Sequence, residues 1–298
     1  MQPKISIIVI VKNDRGIANT VAGLAIQKVP APTETIVIDA SDPTLLADIK
    51  NKYPNVHWYQ FESAIANKTS IPEQRNFGIR HAQGEIIVFI DANCVPLENW
   101  LIELTHLILE GRETMTAGPV LPSDAKKQIA RNPTVGKDGY IYWAPTINLA
   151  FKKDLWKKLD GFDESFLYGS DADFTWRWSD AGNKIYFVHN AVITHDWGNA
   201  KRDIRRSFDY GKARAKLFAK HPKRLTALLG DNLYVTIYTI YILGLPLTLY
   251  FWWYPLFILL ALAKNIGDKP FKTVLYNLSY TVGMWIGFII LLFKGDYV

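Results

Sequence analysis

Four places along the chain carry side chains able to do chemistry: Asp39, Asp91 with Asn93, Asp171 with Asp173, and His195. Three of these close short apolar runs. Thr35-Ile-Val-Ile38 ends at Asp39, Ile86-Ile-Val-Phe-Ile90 at Asp91-Ala92-Asn93, and Ala191-Val-Ile-Thr194 at His195. Such a run is too short for a helix and reads as a strand; the β-branched, aromatic run 86–90 reads as one buried on both faces of a mostly parallel sheet. An acid at the end of such a strand sits on the carboxyl edge, where open α/β sheets bind ligands. There it can hold a hard divalent cation that bridges the phosphates of a nucleotide. The Asp-x-Asn triplet alone is weak, because Asp and Asn are favoured in ordinary turns. Its weight comes from three strand ends that all present polar groups.

Asp171 opens a segment of helical character that runs to Asp180, and acids suit the positive end of a helix. A carboxylate so placed is a candidate general base for an attacking hydroxyl. Its bland role is a helix cap. Asp173 is the rival base or an orienting partner. Arg177 is either a phosphate contact or a salt-bridge partner. Trp143, Trp176, Trp178 and Trp197 offer flat apolar ring faces to a sugar, although core packing is the simpler explanation. Cys94, the single cysteine, reads as a small packing residue and excludes an intrachain disulfide.

The elements that must position these groups alternate. Strands are expected at 5–11, 35–38, 56–61 and 85–90, and helices at 17–28, 45–52, 72–81 and 100–109. This alternation implies right-handed crossovers and a parallel sheet. Further strands are expected near 114–120, 140–151, 184–188 and 191–194, and helices at 152–159 and 171–180. Met1 to Lys4 and the apolar run after it lack a cleavage site and continue into a polar turn, so they read as the first strand and not as a signal peptide.

The chain has 298 residues, 49% of them apolar, and a formal charge of +6. Ten basic and two acidic residues fall between Lys201 and Arg224, a local +8 that leaves the remainder near −2. One basic block just ahead of apolar runs favours a membrane surface over nucleic acid. Within it, positions 204, 208, 211, 215 and 218 form one apolar stripe at helical spacing, flanked by Arg202, Arg205, Arg206, Lys212, Arg214 and Lys216. A helix lying among lipid headgroups has this pattern. Leu233 to Ala263 is 31 residues without a charge, and Val274 to Phe293 is another 20. About 20 apolar residues cross a bilayer. The first run is long for one helix and short for two, and Gly244-Leu-Pro246 and Tyr254-Pro255 are places to break it. Lys264, Lys269 and Lys272 in the intervening loop, with the basic block, place both on the cytoplasmic side. The expected division is a catalytic domain over 1–200, a basic interfacial segment over 201–228, and a multi-pass transmembrane region of two or three apolar segments over 229–298.

The order of segments resembles glycosyltransferase family 2, enzymes of the GT-A fold that use nucleotide-sugar donors. The resemblance is carried by SIIVIVKND at the first strand and ETIVIDASD at the second. It continues through RNFGIRHAQGEIIVFIDANCVP and INLAFKKDLWKKLDGFDESFLYGSDADFTWRW, and spans roughly residues 4–200. It implies a Rossmann-like α/β catalytic domain, a UDP- or GDP-sugar donor, and Mn2+ or Mg2+ as cofactor. It implies that Asp39 contacts the base, that Arg75 lies near the nucleotide, and that Asp91 and Asn93 bind metal and diphosphate. Asp171 falls on the general-base position of Gly169-Ser170-Asp171-Ala172-Asp173, and His195 completes the metal site. The implied reaction is inverting transfer to a lipid-linked or glycan acceptor, at the cytoplasmic face of the plasma (inner) membrane. Three positions depart from the family pattern: Asn93 and Ser170 stand where acids are usual, and Ala40 follows Asp39. The departures keep a second reading open, a non-catalytic membrane protein that only binds a nucleotide-sugar. The Gln-x-x-Arg-Trp motif of processive synthases does not occur.

Overall fold

The computed structural model describes residues 4–63, 70–123, 132–196, 200–225, 233–265 and 270–294. Two compact units, residues 1–197 and 198–298, make up the chain.

The first unit is built on four parallel strands, β1 (Ile5–Val11), β2 (Thr33–Asp39), β3 (His57–Gln60) and β4 (Ile86–Ile90), in the order β3-β2-β1-β4. Helices α1 (Ile17–Ala25), α2 (Ala47–Lys52) and α3 (Ile71–His81) make the crossovers. Alternate residues enter opposite cores, which is why both faces had to be apolar. Ile5, Ile7, Val9, Val37, Val88 and Ile90 pack on one side; Ile8, Ile36, Ile38, Ile87 and Phe89 pack on the other. The chain builds outward from β1 to β3 and then returns to place β4 on the far side of β1. The order of strands therefore reverses between β1 and β4, and a crevice opens at their carboxyl ends.

Beyond β4 the order continues β9-β6-β10-β8, with β6 (Met115–Ala117), β8 (Tyr140–Ile141), β9 (Asn148–Lys152) and β10 (Ile185–Phe187). Strand β9 runs antiparallel to both β4 and β6, so the sheet is largely parallel but not wholly so. Two expected strands divide. The 114–120 run splits into β6 and β7 (Val120–Pro122), which lie in different sheets. The break is at Gly118, where a Cβ would lie 2.2 Å from Ala191 O, and at Pro119, which has no N–H for a ladder. The 140–151 run divides around Pro145 for the same reason. A strand not expected, β5 (Cys94–Pro96), joins β11 (Ile193–His195) and β7 in a small second sheet. Helices α4 (Trp100–Leu109), α5 (Lys153–Lys158) and α6 (Ser170–Asp180) complete the unit. Asn148 ties it together: it accepts from Trp100 Nε1 at 2.9 Å and donates to Pro119 O at 3.0 Å and Ala191 O at 2.7 Å.

The second unit contains α7 (Ala200–Lys220), α8 (Leu233–Gly244), α9 (Ile258–Lys264) and α10 (Pro270–Lys294). The stripe expected to face lipid headgroups packs on α10 instead. A Cβ on Gly211 would lie 2.1 Å from Tyr280 O, and one on Gly283 would lie 2.1 Å from Phe208 O, so the two backbones touch at glycines. Lys272 Nζ pairs with Asp203 at 2.7 Å and Ser279 Oγ donates to Ile204 O at 3.1 Å along the same contact. The 31-residue apolar run breaks where its prolines stand, into α8, two 3-10 turns at Leu245–Leu249 and Tyr254–Phe257, and α9. At 12 residues α8 is about 18 Å long, well short of a bilayer core. Among the described residues, one helix is long and apolar enough to cross a membrane, Pro270–Phe293. By length, one of the two or three expected spans is present among the described residues. Lys269 lies outside the described residues.

Candidate active site

Asp91 follows the last residue of β4, at the edge of the crevice. The chain turns tightly there, with Cys94 N donating to Asp91 O at 3.3 Å and Asn93 at φ 64°. That left-handed backbone suits Asn, whose short polar side chain tolerates it. The turn leads into β5, whose Cys94 pairs with His195 of β11, so His195 is delivered beside the triplet from about a hundred residues away. From the other side of the crevice, the turn after β1 brings Gly16 against Asn93. A Cβ at Gly16 would lie 2.7 Å from Asn93 Cγ and Oδ1.

Arg75 and Asn76, adjacent on α3, grip the segment that carries the candidate base. Asn76 is buried and all four of its amide hydrogen-bonding sites are used. Its Oδ1 accepts from Trp156 Nε1 at 2.8 Å and Phe162 N at 2.9 Å; its Nδ2 donates to Phe162 O and Glu164 Oε1, both at 2.8 Å. Arg75 lies over the Phe162 ring and donates from Nη1 to Ser170 Oγ at 3.2 Å. Its Nη2 is 4.0 Å from Asp91 Oδ1, and its buried Nε has no acceptor among the described residues. A buried guanidinium with one neutral partner and one distant carboxylate is ready for a further anion. Burial raises the Asp91 carboxyl above its ordinary range. The Arg75 and His195 charges oppose that rise, and Asp171 adds to it. The Asp91 side chain is still 36% exposed, so it stands at the mouth of the crevice and not beneath it. These four groups therefore share one electrostatic neighbourhood.

The two acids of α6 differ. Asp171 is partly exposed in the first turn, where Gly169 enters the helix at φ 84°, and it accepts from Ala172 N at 2.8 Å. It does not cap the helix; Gly169 holds that position. Asp173, expected as a second catalytic carboxylate, is fully buried and takes Arg177 Nε at 3.0 Å and Nη2 at 2.9 Å. Arg177 reaches on to Leu159 O and Gly161 O, which makes it a structural ion-pair partner.

Asp39, expected at the base, is also fully buried. It accepts from Ser41 N at 2.8 Å and pairs with Lys50 Nζ at 2.7 Å. Lys50 also donates to Gln60 Oε1 at 3.3 Å, and Gln60 Nε2 donates to Ser41 O at 2.7 Å. Lys50 gave no signal in the sequence; Asn76 stands beside Arg75 in the Arg75-Asn76-Phe77-Gly78 segment that carries the resemblance, but its structural role did not show there. Of the tryptophans, Trp176 is core, Trp178 donates to Lys184 O, Trp143 is partly exposed, and Trp197 lies outside the described residues.

Among the described residues no three His, Cys, Asp or Glu side chains cluster as a metal cage. One carboxylate, one imidazole and one amide at the crevice mouth fit a different arrangement. Hard cations that arrive with phosphates take one or two protein carboxylates and complete their shell from substrate and water.

The sequence profile of Glycosyl transferase family 2 matches residues 6–173, more than half of the chain. A pre-mycofactocin glycosyltransferase of Mycobacterium tuberculosis is 25% identical over 170 residues, covering 52% of this chain and 36% of its own length. The glycosyltransferase AglE of Haloferax volcanii is 24% identical over 155 residues, covering 48% and 50%. The chain thus spans a quarter to a half of the length of the curated relatives it matches. A Pyrobaculum calidifontis mannosyltransferase, solved with GDP-Man and Mn2+, superposes with a TM-score of 0.64 at 17% identity, covering 97% of this chain and 88% of that one. Staphylococcus aureus TarS superposes at 0.52 and 19% identity, covering 73% and 43%. Fold and profile agree: the chain belongs to glycosyl transferase family 2 and has its GT-A fold.

Proposed function

We propose that the protein is a membrane-attached glycosyltransferase that moves a sugar from a nucleotide-sugar donor to an acceptor hydroxyl, lipid-linked or on a glycan, with inversion. One observation carries this reading. Arg75 lies 4.0 Å from Asp91 and donates to the hydroxyl of Ser170, next to Asp171, at 3.2 Å, while β11 pairs His195 with Cys94 just past the Asp91 turn, where the strand order reverses.

In this mechanism Arg75 binds the donor diphosphate and keeps it over the end of β4. Asp171 accepts the proton of the acceptor hydroxyl as its oxygen attacks the sugar's anomeric carbon. The bond from that carbon to the diphosphate oxygen breaks, and the electron pair leaves with the nucleoside diphosphate. Attack from the face opposite the leaving group inverts the centre. Asn76 and the Asp173–Arg177 pair hold the 156–170 segment so that Asp171 stays at the mouth. Mn2+ or Mg2+ held by Asp91, the Asn93 amide and His195 would supply positive charge to the departing diphosphate. Attachment to the plasma (inner) membrane is through the apolar helix Pro270–Phe293.

Asp171→Asn is the test. Transfer should fall by at least a hundredfold while calorimetric donor affinity with Mn2+ stays within about twofold. Loss of both, or of neither, would remove Asp171 from the role. Donor binding without any release of nucleoside diphosphate by the unaltered chain would favour the binding-only reading.

A further inference from the structure

Helix α10 has three sides, and among the described residues two of them are covered. Helix α7 takes one. Asp203 pairs with Lys272 at 2.7 Å, Ile204 O accepts from Ser279 Oγ at 3.1 Å, and a Cβ on Gly211 would lie 2.8 Å from Met284 N. Helix α8 takes a second, where Trp285 Nε1 donates to Thr239 Oγ1 at 2.8 Å and the Tyr234 and Tyr280 rings lie 5.8 Å apart. The third side is a stripe at helical spacing: Phe271, Leu275, Val282, Ile286, Ile289 and Phe293. It is apolar from end to end and open, with Phe271 70% and Phe293 85% exposed and Val282 half-buried between them.

Such a stripe meets hydrocarbon in a helix that crosses a bilayer, and equally in one that lies flat in a leaflet. Helix α7 decides between them. Its contacts run from Lys272 to Met284, about 18 Å of α10. The apolar segment Pro270–Phe293 is 24 residues, about 36 Å, against a hydrocarbon core of about 30 Å. An upright α10 would therefore draw most of that contact into the core. Exposed Arg205 and half-buried Arg206, Asp209 and Lys212 would go with it. Charges at that depth are costly. Laid flat, the same two helices sort by chemistry. Resting on the membrane attachment proposed above, we propose that the second unit does not cross the bilayer. Helix α10 lies in the plane of one leaflet with its open stripe among the acyl chains, and α7 lies on its water side against anionic headgroups. Tyr250 and Trp252, 83% and 79% exposed in the bend between the two 3-10 turns, are the ring types that settle at such an interface.

The test is nitroxide depth measurement on the full chain, reconstituted in vesicles of phosphatidylcholine and phosphatidylglycerol. Single variants Phe271→Cys, Val282→Cys, Phe293→Cys and Arg205→Cys are labelled, and each label is compared by its collisions with oxygen and with a water-soluble nickel chelate. The unaltered chain, whose Cys94 is buried, is the labelling control. The three labels on α10 should share one depth, about 5–10 Å below the phosphates, and the Arg205 label should meet the nickel freely. A crossing helix gives another profile. Val282 is eleven residues from Phe271 and eleven from Phe293, so its label would sit about 16 Å deeper than either. Ile286→Cys repeats the central reading at a more exposed position, so the result does not hang on one variant folding. A deep centre with shallow ends overturns the proposal, as does an Arg205 label hidden from nickel. Dipolar broadening between copies labelled on the stripe would show a second chain covering it and overturns the proposal too. If the chain does not float with the vesicles, membrane attachment itself fails and takes this inference with it; a crossing profile removes the inference alone.

Discussion

Replacing Asp173 by Asn separates two acids that lie two residues apart on one helix. Asn keeps the shape of the side chain and removes the charge that Arg177 contacts through both Nε and Nη2. Breaking a buried ion pair from one side costs about 3–5 kcal/mol, because the remaining charge stays desolvated. Here Arg177 keeps 21% of its side chain exposed and two carbonyl acceptors, so the lower end, about 3 kcal/mol, is expected. Asp171→Asn touches only a bond to Ala172 N and a favourable helix-dipole contact, about 0.3–1 kcal/mol. Its cost should appear in the rate, at 10²–10⁴-fold. Guanidinium unfolding followed by tryptophan fluorescence gives stability, and initial rates are expressed per folded molecule. Asp173→Asn should lower stability markedly and keep its rate within about tenfold; Asp171→Asn should do the reverse. An Asp173→Asn variant of unchanged stability that cannot transfer sugar, beside an active Asp171→Asn, would show that the base has been assigned to the wrong acid.

Asn76→Ala removes four hydrogen bonds and leaves Trp156 Nε1 and Phe162 N without acceptors. Unfolding should be easier by about 3–5 kcal/mol, and proteolysis should begin within residues 156–170. Asp91→Asn should stabilise the ligand-free, metal-free protein. A carboxyl whose folded pKa is raised binds its proton more tightly when folded. Stability therefore falls as pH rises from the ordinary carboxylate range to the folded value, and stays lower above it. Melting curves of Asp91→Asn should lie above those of the unaltered chain at pH 7 and converge with them by about pH 3; the opposite order would mean that Asp91 is held by a partner charge more strongly than it is desolvated. Gly283→Val places a side chain into Phe208 O and should loosen α7 from α10, by about 1–3 kcal/mol or more, read as faster amide exchange in both helices and unchanged donor affinity.

Much of the scaffold was legible because it is encoded in neighbouring residues. Runs such as Ile5–Val11 and Ile86–Ile90 are apolar on both faces, and only a strand inside a two-sided core can bury both. Three runs of this kind end in Asp39, Asp91 and His195, so polar groups at strand ends could be named from the sequence. Pro246 and Pro255 marked where the long apolar run breaks, since proline removes a donor and fixes φ. Tertiary structure alone decided which polar atom meets which. Asn76 finds Phe162 86 residues away, and Trp100 finds Asn148 48 residues away. Asp39 and Asp173 look as available as Asp91 and Asp171 in the sequence, yet each is closed by a cation: Arg177, whose i,i+4 spacing from Asp173 made it a salt-bridge candidate, and Lys50, which no local pattern singles out. The stripe of α7 was read correctly as apolar, but a stripe carries no address, and glycines at 211 and 283 let α10 come close enough to cover it. Periodicity reports that a face must be buried, whereas the partner that buries it, and the acid left open to substrate, follow from contacts between distant parts of the chain.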